Sequence, residues 1–147
     1  MASGRFQSKA KVCVAANRLR PDRRKRTKET IATMRHLYLD FDIDGQARLA
    51  SLRVFDTVPT PTAVLSTSLG RYQILCDIDS STFEQQEKAI EPLAITFGGD
   101  PVCTECNRVL RLPRFRNCKY EPPYPVTVKY PRDSTSNPVT FGGKFRQ

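Results

Sequence analysis

The residues best equipped for chemistry in this chain of 147 residues lie in Leu37-Tyr-Leu-Asp-Phe-Asp-Ile-Asp44, where Asp40, Asp42 and Asp44 alternate with Leu39, Phe41 and Ile43. In a strand, a period of two sends the aliphatic groups to one face and the carboxylates to the other. Carboxylates crowded on one surface repel and raise one another's pKa unless a cation compensates, so the pattern is costly without a divalent metal. Two other readings stand beside that one. Asp40-x-Asp-x-Asp-Gly45 also opens like a calcium loop, but its twelfth position is Ser51 instead of a bidentate Glu, and the residues before it alternate like a strand. Acids at the solvent end of a half-buried strand are the plainer alternative.

Other catalytic schemes are poorly served. Gly142-Gly-Lys144 lacks the upstream glycine of a phosphate-binding loop and is followed by Phe145. A single histidine, His36, excludes paired-histidine metal sites, and there is no G-x-S-x-G nucleophile elbow. The five cysteines are odd in number and irregularly spaced, which argues against a disulfide framework. Only Cys103 and Cys106 have metal-ligand spacing, and no second pair completes a zinc site, so packed free thiols are the expected state.

Charge is unevenly spread. The net charge of +9 resides entirely in residues 1–35, with eleven Lys/Arg against two acids, while the remainder is balanced. The excess peaks between Arg18 and Lys28, where Arg23, Arg24, Lys25, Arg26 and Lys28 are candidates for contacting nucleic-acid phosphates through salt-sensitive, sequence-independent attraction. A solvated or targeting-type basic segment is the alternative. A second cluster places five cations between Asn107 and Lys119. No apolar run reaches the length of a membrane span, and Met1 to Phe6 does not open a signal peptide, so no membrane association and a cytoplasmic location are expected.

These residues must be positioned by a single domain, residues 1–147, with 1–10 and 131–147 as flexible ends; a chain of this length buries roughly 68–70% of its surface without metal or disulfides. Strands are expected at Lys11 to Ala16 and His36 to Asp44, with a helix over Thr27 to Met34. Gly45 permits a sharp change of direction into a helix from Gln46 to about Phe55. Ala63 to Ser68 and Arg71 to Ile78 read as a hairpin. The Ser81-x-x-Glu84 capping pattern starts a helix near Thr82 that runs towards Phe97, with Pro92 kinking or splitting it and Gly98-Gly99 closing it. Arg108 to Leu112 and Val126 to Tyr130 are short strands. The alternation predicts an α+β fold, a mixed or antiparallel sheet with helices packed on it.

Three segments in this order resemble the RepB-like DNA primase domain, a branch of the archaeo-eukaryotic primase superfamily found on plasmids and other mobile elements. They are His36-Leu-Tyr-Leu-Asp-Phe-Asp42, Ser66-Thr-Ser-Leu-Gly-Arg-Tyr-Gln73 and the stretch from Gly99 to Lys119. The resemblance runs from about Val12 to Lys129 and takes in Asn17, Arg26, Thr27 and Lys28. It implies an RRM-like catalytic sheet and template-directed joining of nucleoside triphosphates into short primers on single-stranded DNA. It further implies two metal ions, Mg²⁺ or Mn²⁺, held by Asp40, Asp42 and Asp100. Such metals activate the attacking 3′-hydroxyl and neutralise charge on the transferred phosphoryl group and leaving pyrophosphate.

From the second motif the resemblance nominates Ser68, Tyr72 and Gln73 for nucleotide binding, Gln73 standing where the wider superfamily has a histidine. Arg108, Arg111 and Lys119 are candidates for clamping phosphate, because guanidinium forks bind phosphate oxygens in pairs and lysine adds a mobile charge. Asn117 is a candidate for orienting the loop. The chain departs from the family at Arg114, where glycine usually follows the Leu-Pro pair, and at Glu105, where aspartate is common. A replicative helicase or other initiation protein is a further expected partner. The alternative function is a catalytically weakened module that binds single-stranded DNA for a replication protein. No role follows from the sequence for Asp44 or for the Cys103/Cys106 pair.

Overall fold

The structure, a computed structural model, describes residues 11–54, 60–78, 83–98 and 106–131. Its centre is a four-stranded sheet with β4 (His36–Phe41) at one edge, paired antiparallel with β6 (Arg71–Asp77). Beyond β6 come β5 (Ala63–Ser68) and the edge strand β10 (Thr127–Lys129), giving the order β10-β5-β6-β4. Every pairing described is antiparallel. Leu69 and Gly70 join β5 to β6, with Gly70 at φ +69°, a conformation that costs glycine nothing.

Strand parity divides the sheet into two faces. Leu37, Leu39 and Phe41 of β4, with Ile74 and Val64 from the neighbouring strands, pack against Leu49 and Leu52 of α1 (Gly45–Val54) and Leu93, Ala94 and Phe97 of α2 (Phe83–Phe97). On the opposite face Tyr38, Ala63 and Leu65 pack with Ala16, Leu110 and Val126. Leu110 belongs to, and Ala16 directly follows, a ribbon made by β1 (Cys13–Ala15) and β7 (Val109–Arg111), which pair antiparallel and lie over this second face. The protein is thus α+β, with the helices on one side of the sheet and a two-stranded ribbon on the other.

Several expected elements differ. The helix expected over Thr27 to Met34 is only a 3₁₀ turn, Lys28–Thr30, followed by β3 (Ile31–Thr33), which pairs with β2 (Arg18–Leu19). Ile31 and Met34, spaced as on a helix, instead reach a small core with Cys106 from an extended chain. The strand expected to continue to Asp44 ends at Phe41, and Ile43 is exposed, because Asp44 turns the chain at φ +51°. α2 runs unbroken through Pro92. Pro92 removes the N–H that would bond the Lys88 carbonyl, and both residues are exposed, so the break lies outside the core. The short pair β8 (Arg116–Asn117) and β9 (Tyr124–Pro125) carries no alternation by which the sequence would announce it. Ser81, Gly99 and the expected flexible ends at 1–10 and 131–147, apart from Pro131, lie outside the described residues.

Candidate active site

Asp40 and Asp42 stand at the end of β4. Asp40 is half-buried on the ribbon side of the sheet, directly opposite Gln73 of β6. Its Oδ2 accepts a hydrogen bond of 2.8 Å from the hydroxyl of Tyr38, two residues earlier on the same face. The Tyr38 hydroxyl in turn accepts from Gln73 Nε2 at 3.0 Å, and Gln73 Oε1 accepts from the backbone N–H of Arg111 at 2.9 Å. Leu112 N–H bonds across to Val12, so in the alternating ladder of β7 the N–H of Arg111 points away from β1 and towards the sheet. Strand β7 therefore fixes Gln73, and Gln73 faces the carboxylate strand.

Asp42 is exposed and lies 3.9 Å from the guanidinium of Arg71, the first residue of β6. Arg71 also donates to the Tyr120 hydroxyl at 2.6 Å and lies over its ring, 5.7 Å from the centroid. Lys119 approaches the same ring at 6.0 Å. A cationic and aromatic cluster thus adjoins the carboxylates. It is held by Asn117, which is buried, donates to Thr67 O at 2.8 Å and accepts from Lys119 N–H. Neither Arg71 nor Tyr120 was singled out by the sequence, which offers no signal that a turn after β8 returns to the β5–β6 hairpin.

The other candidates are distributed around this centre. Ser68 is buried at the end of β5, next to the Thr67 carbonyl that Asn117 binds. Tyr72 lies on the helix face instead, packed against the core and donating to Gln46 Oε1 at 2.7 Å. It lines a pocket of about 240 Å³ with Gln46, Ser66 and Lys129, on the far side of the sheet from Asp40. Arg108 and Arg111 flank the start and end of β7 and are half-buried. Arg114 takes φ +71°, so the backbone keeps the left-handed turn that a glycine would adopt there without strain.

Arg23, Arg24, Lys25 and Arg26 lie in an exposed loop, and Lys28, also exposed, opens the 3₁₀ turn that follows it. Arg23 pairs with Asp22 at 3.3 Å. Arg26 donates to the carbonyl of Asn107, which fastens the loop to the turn before β7. Glu29 stays ionised among these cations: hydrogen bonds from the Thr27 side chain and the backbone hold its carboxyl below the usual range. Asn17, buried where β1 leads into β2, accepts from the N–H groups of Arg35 and His36 and donates to the carbonyls of Cys106 and His36. That side chain ties the ribbon layer to the start of β4.

Asp40 and Asp42 offer only oxygen donors, a set that suits a hard divalent cation better than a soft one. Asp100, the third expected ligand, lies outside the described residues, as do Glu105 and Cys103. Among the described residues no three His, Cys, Asp or Glu side chains cluster around a common point. Cys106 is buried outside any disulfide, packed with Ile31 and Met34.

Residues 1–138 match the family described as the RepB DNA-primase N-terminal domain. The chain belongs to that family. Two solved structures share the fold of this RepB-type domain. One is the AEP domain of the cyanophage S-2L primase-polymerase, at 13% identity and a TM-score of 0.56, matching 78% of this chain and 60% of the other. The second is the catalytic domain of primase RepB′ in complex with initiator DNA, at 22% identity and a TM-score of 0.55, matching 71% of this chain and 53% of the other. The RepB-type domain thus spans little more than half the length of either structure. No curated protein sequence matches it. Among its described residues, no helix is long and apolar enough to cross a membrane.

Proposed function

We propose that this RepB-type domain is the catalytic part of a DNA primase, joining nucleoside triphosphates into short primers on single-stranded DNA for replication of a plasmid or other mobile element. The observation that carries the reading is the placement of Asp40 and Asp42 at one strand end, beside Gln73 and beside the Arg71, Lys119 and Tyr120 cluster. Asp40, Asp42 and Asp100 would hold Mg²⁺ or Mn²⁺. When bound, such ions lower the pKa of the primer 3′-hydroxyl and offset charge on the reacting phosphates.

The chain's own residues supply the remaining parts. Arg71, beside Asp42, offers a forked donor to triphosphate oxygens, and Lys119, at the Tyr120 ring that Arg71 also covers, offers a point charge. Arg108 and Arg111, at either end of β7, extend positive charge along the same layer, and Ser68 borders the loop that carries Lys119. Tyr72, turned to the helix face, is assigned no contact with nucleotide in this reading. The exposed loop from Arg23 to Lys28, fastened near β7 through Arg26, would follow the template backbone. A helicase or initiation protein would bring the domain to its template.

The test is primer synthesis with labelled nucleotides on a single-stranded template in Mg²⁺ or Mn²⁺. Wild type is expected to make product and Asp42→Ala to make none. Undiminished product from Asp42→Ala would overturn the catalytic assignment. If neither protein makes product while both bind the template, the domain is a single-stranded DNA-binding module, the reading that its exposed basic loop also favours.

A further inference from the structure

We infer that Tyr38 is a positioning residue for Asp40, and that Gln73 acts through it. The inference rests on the reading of Asp40 as a metal-holding carboxylate and adds to it the group that aims that carboxylate.

The hydrogen-bond directions follow from one fixed donor. The backbone N–H of Arg111 can only donate, so the end of the Gln73 amide facing it must be the carbonyl oxygen. The other end, Nε2, is then a donor, and it meets the Tyr38 hydroxyl at 3.0 Å. With its oxygen accepting from Gln73, the hydroxyl turns its single proton to Asp40 Oδ2, 2.8 Å away. The direction of all three bonds is thereby set from strand β7 outward.

The Tyr38 ring is held as firmly as its hydroxyl. It is 4% exposed and packed among Ala16, Ala63, Leu65, Leu110 and Val126, so its oxygen has little freedom to follow a swinging carboxylate. A short, rigid donor to one oxygen restricts rotation of Asp40 and presents it in one orientation. Partners of this kind behind a ligating carboxylate typically matter 10- to 100-fold in metal affinity or activity. Gln73, in this arrangement, meets Asp40 through an intermediary.

Tyr38→Phe keeps the ring and removes only the proton donor, and Gln73→Met keeps length and removes the amide. Mn²⁺ binding to the nucleotide-free protein, followed by the electron paramagnetic resonance signal of free Mn²⁺, is measured for both, for the double variant and for Asp40→Asn. Primer synthesis is titrated with metal in parallel, and thermal unfolding verifies that each variant is folded. Tyr38→Phe is expected to weaken Mn²⁺ binding by about 10- to 100-fold. Its half-maximal metal concentration for synthesis should rise in step, with the KM for nucleotide at saturating metal unchanged. Gln73→Met should shift the same two quantities in the same direction, and the double variant should be no worse than Tyr38→Phe alone. Wild-type Mn²⁺ affinity in Tyr38→Phe, where Asp40→Asn has lost it, would overturn the positioning role and leave the function standing. If Tyr38→Phe does not fold, Gln73→Met decides: an effect confined to nucleotide KM would make Gln73 a direct nucleotide contact and sink the relay. Unchanged binding and synthesis in Asp40→Asn would instead remove the catalytic reading on which the inference rests.

Discussion

Asn17 shows how much one side chain can hold. Its amide answers two backbone N–H groups and two carbonyls drawn from two distant stretches of chain, residues 35–36 and Cys106, and it is buried while doing so. Asn17→Ala would leave those backbone groups unsatisfied in the interior, at a cost of about 2–3 kcal/mol. Urea unfolding should report that loss as a lower midpoint with an unchanged slope. Tyr38 is legible by parity alone, since it shares the even positions with Asp40 and Asp42, yet only packing shows that its hydroxyl reaches the carboxylate. Arg71 is the opposite case. Its closeness to Asp42 and Tyr120 depends on a turn folding back from residue 120, and no local pattern encodes that.

At the scale of elements, the connection from β4 to α1 is controlled by contact as much as by conformational freedom. Gly45 donates to Gly70 O, and a Cβ at Gly45 would lie 2.4 Å from that oxygen and 2.7 Å from the Tyr72 ring. Gly45→Ala must push α1 away from the β5–β6 turn, which is expected to cost about 1–3 kcal/mol and to lower the melting temperature measured by circular dichroism. Arg114 is the reverse. A non-glycine residue at φ +71° carries about 1–2 kcal/mol of strain, only partly offset by glycine's larger entropy loss. Arg114→Gly is therefore expected to raise stability by up to about 1 kcal/mol, and a lowered unfolding midpoint would show that the arginine side chain contributes more than its backbone costs. The strand β4 was readable because its alternation matches a two-faced sheet. The helix expected over Thr27 to Met34 was not, since the spacing of Ile31 and Met34 suits a helix and β3 forms only because β2 pairs with it.

Across the whole molecule, charge and carboxylates meet in one layer. The basic loop is fastened at Asn107, the ribbon strand β7 follows, and β7 supplies the N–H that orients Gln73 opposite Asp40. Template affinity is expected to reside mainly in the exposed loop. Changing Arg23, Arg24 and Lys25 together to Gln should weaken single-stranded DNA binding for all sequences alike. It should also flatten the dependence of log affinity on log salt by about 2, given roughly 0.7 per phosphate neutralised. Fluorescence anisotropy over a salt series measures both, and an unchanged slope would show that these three cations do not meet phosphate.

Local periodicity, turn residues and composition specify the α+β class, the strand that leads to Asp40 and Asp42, the β5–β6 hairpin and the concentration of charge before residue 36. Only packing between remote segments sets the ribbon against the carboxylate face, links Tyr38 and Gln73 to Asp40, places Arg71 between Asp42 and Tyr120, and turns Tyr72 to the helix face. Those outcomes depend on contacts between segments far apart in the chain, where burial and hydrogen-bond satisfaction choose among partners that local pattern leaves equal.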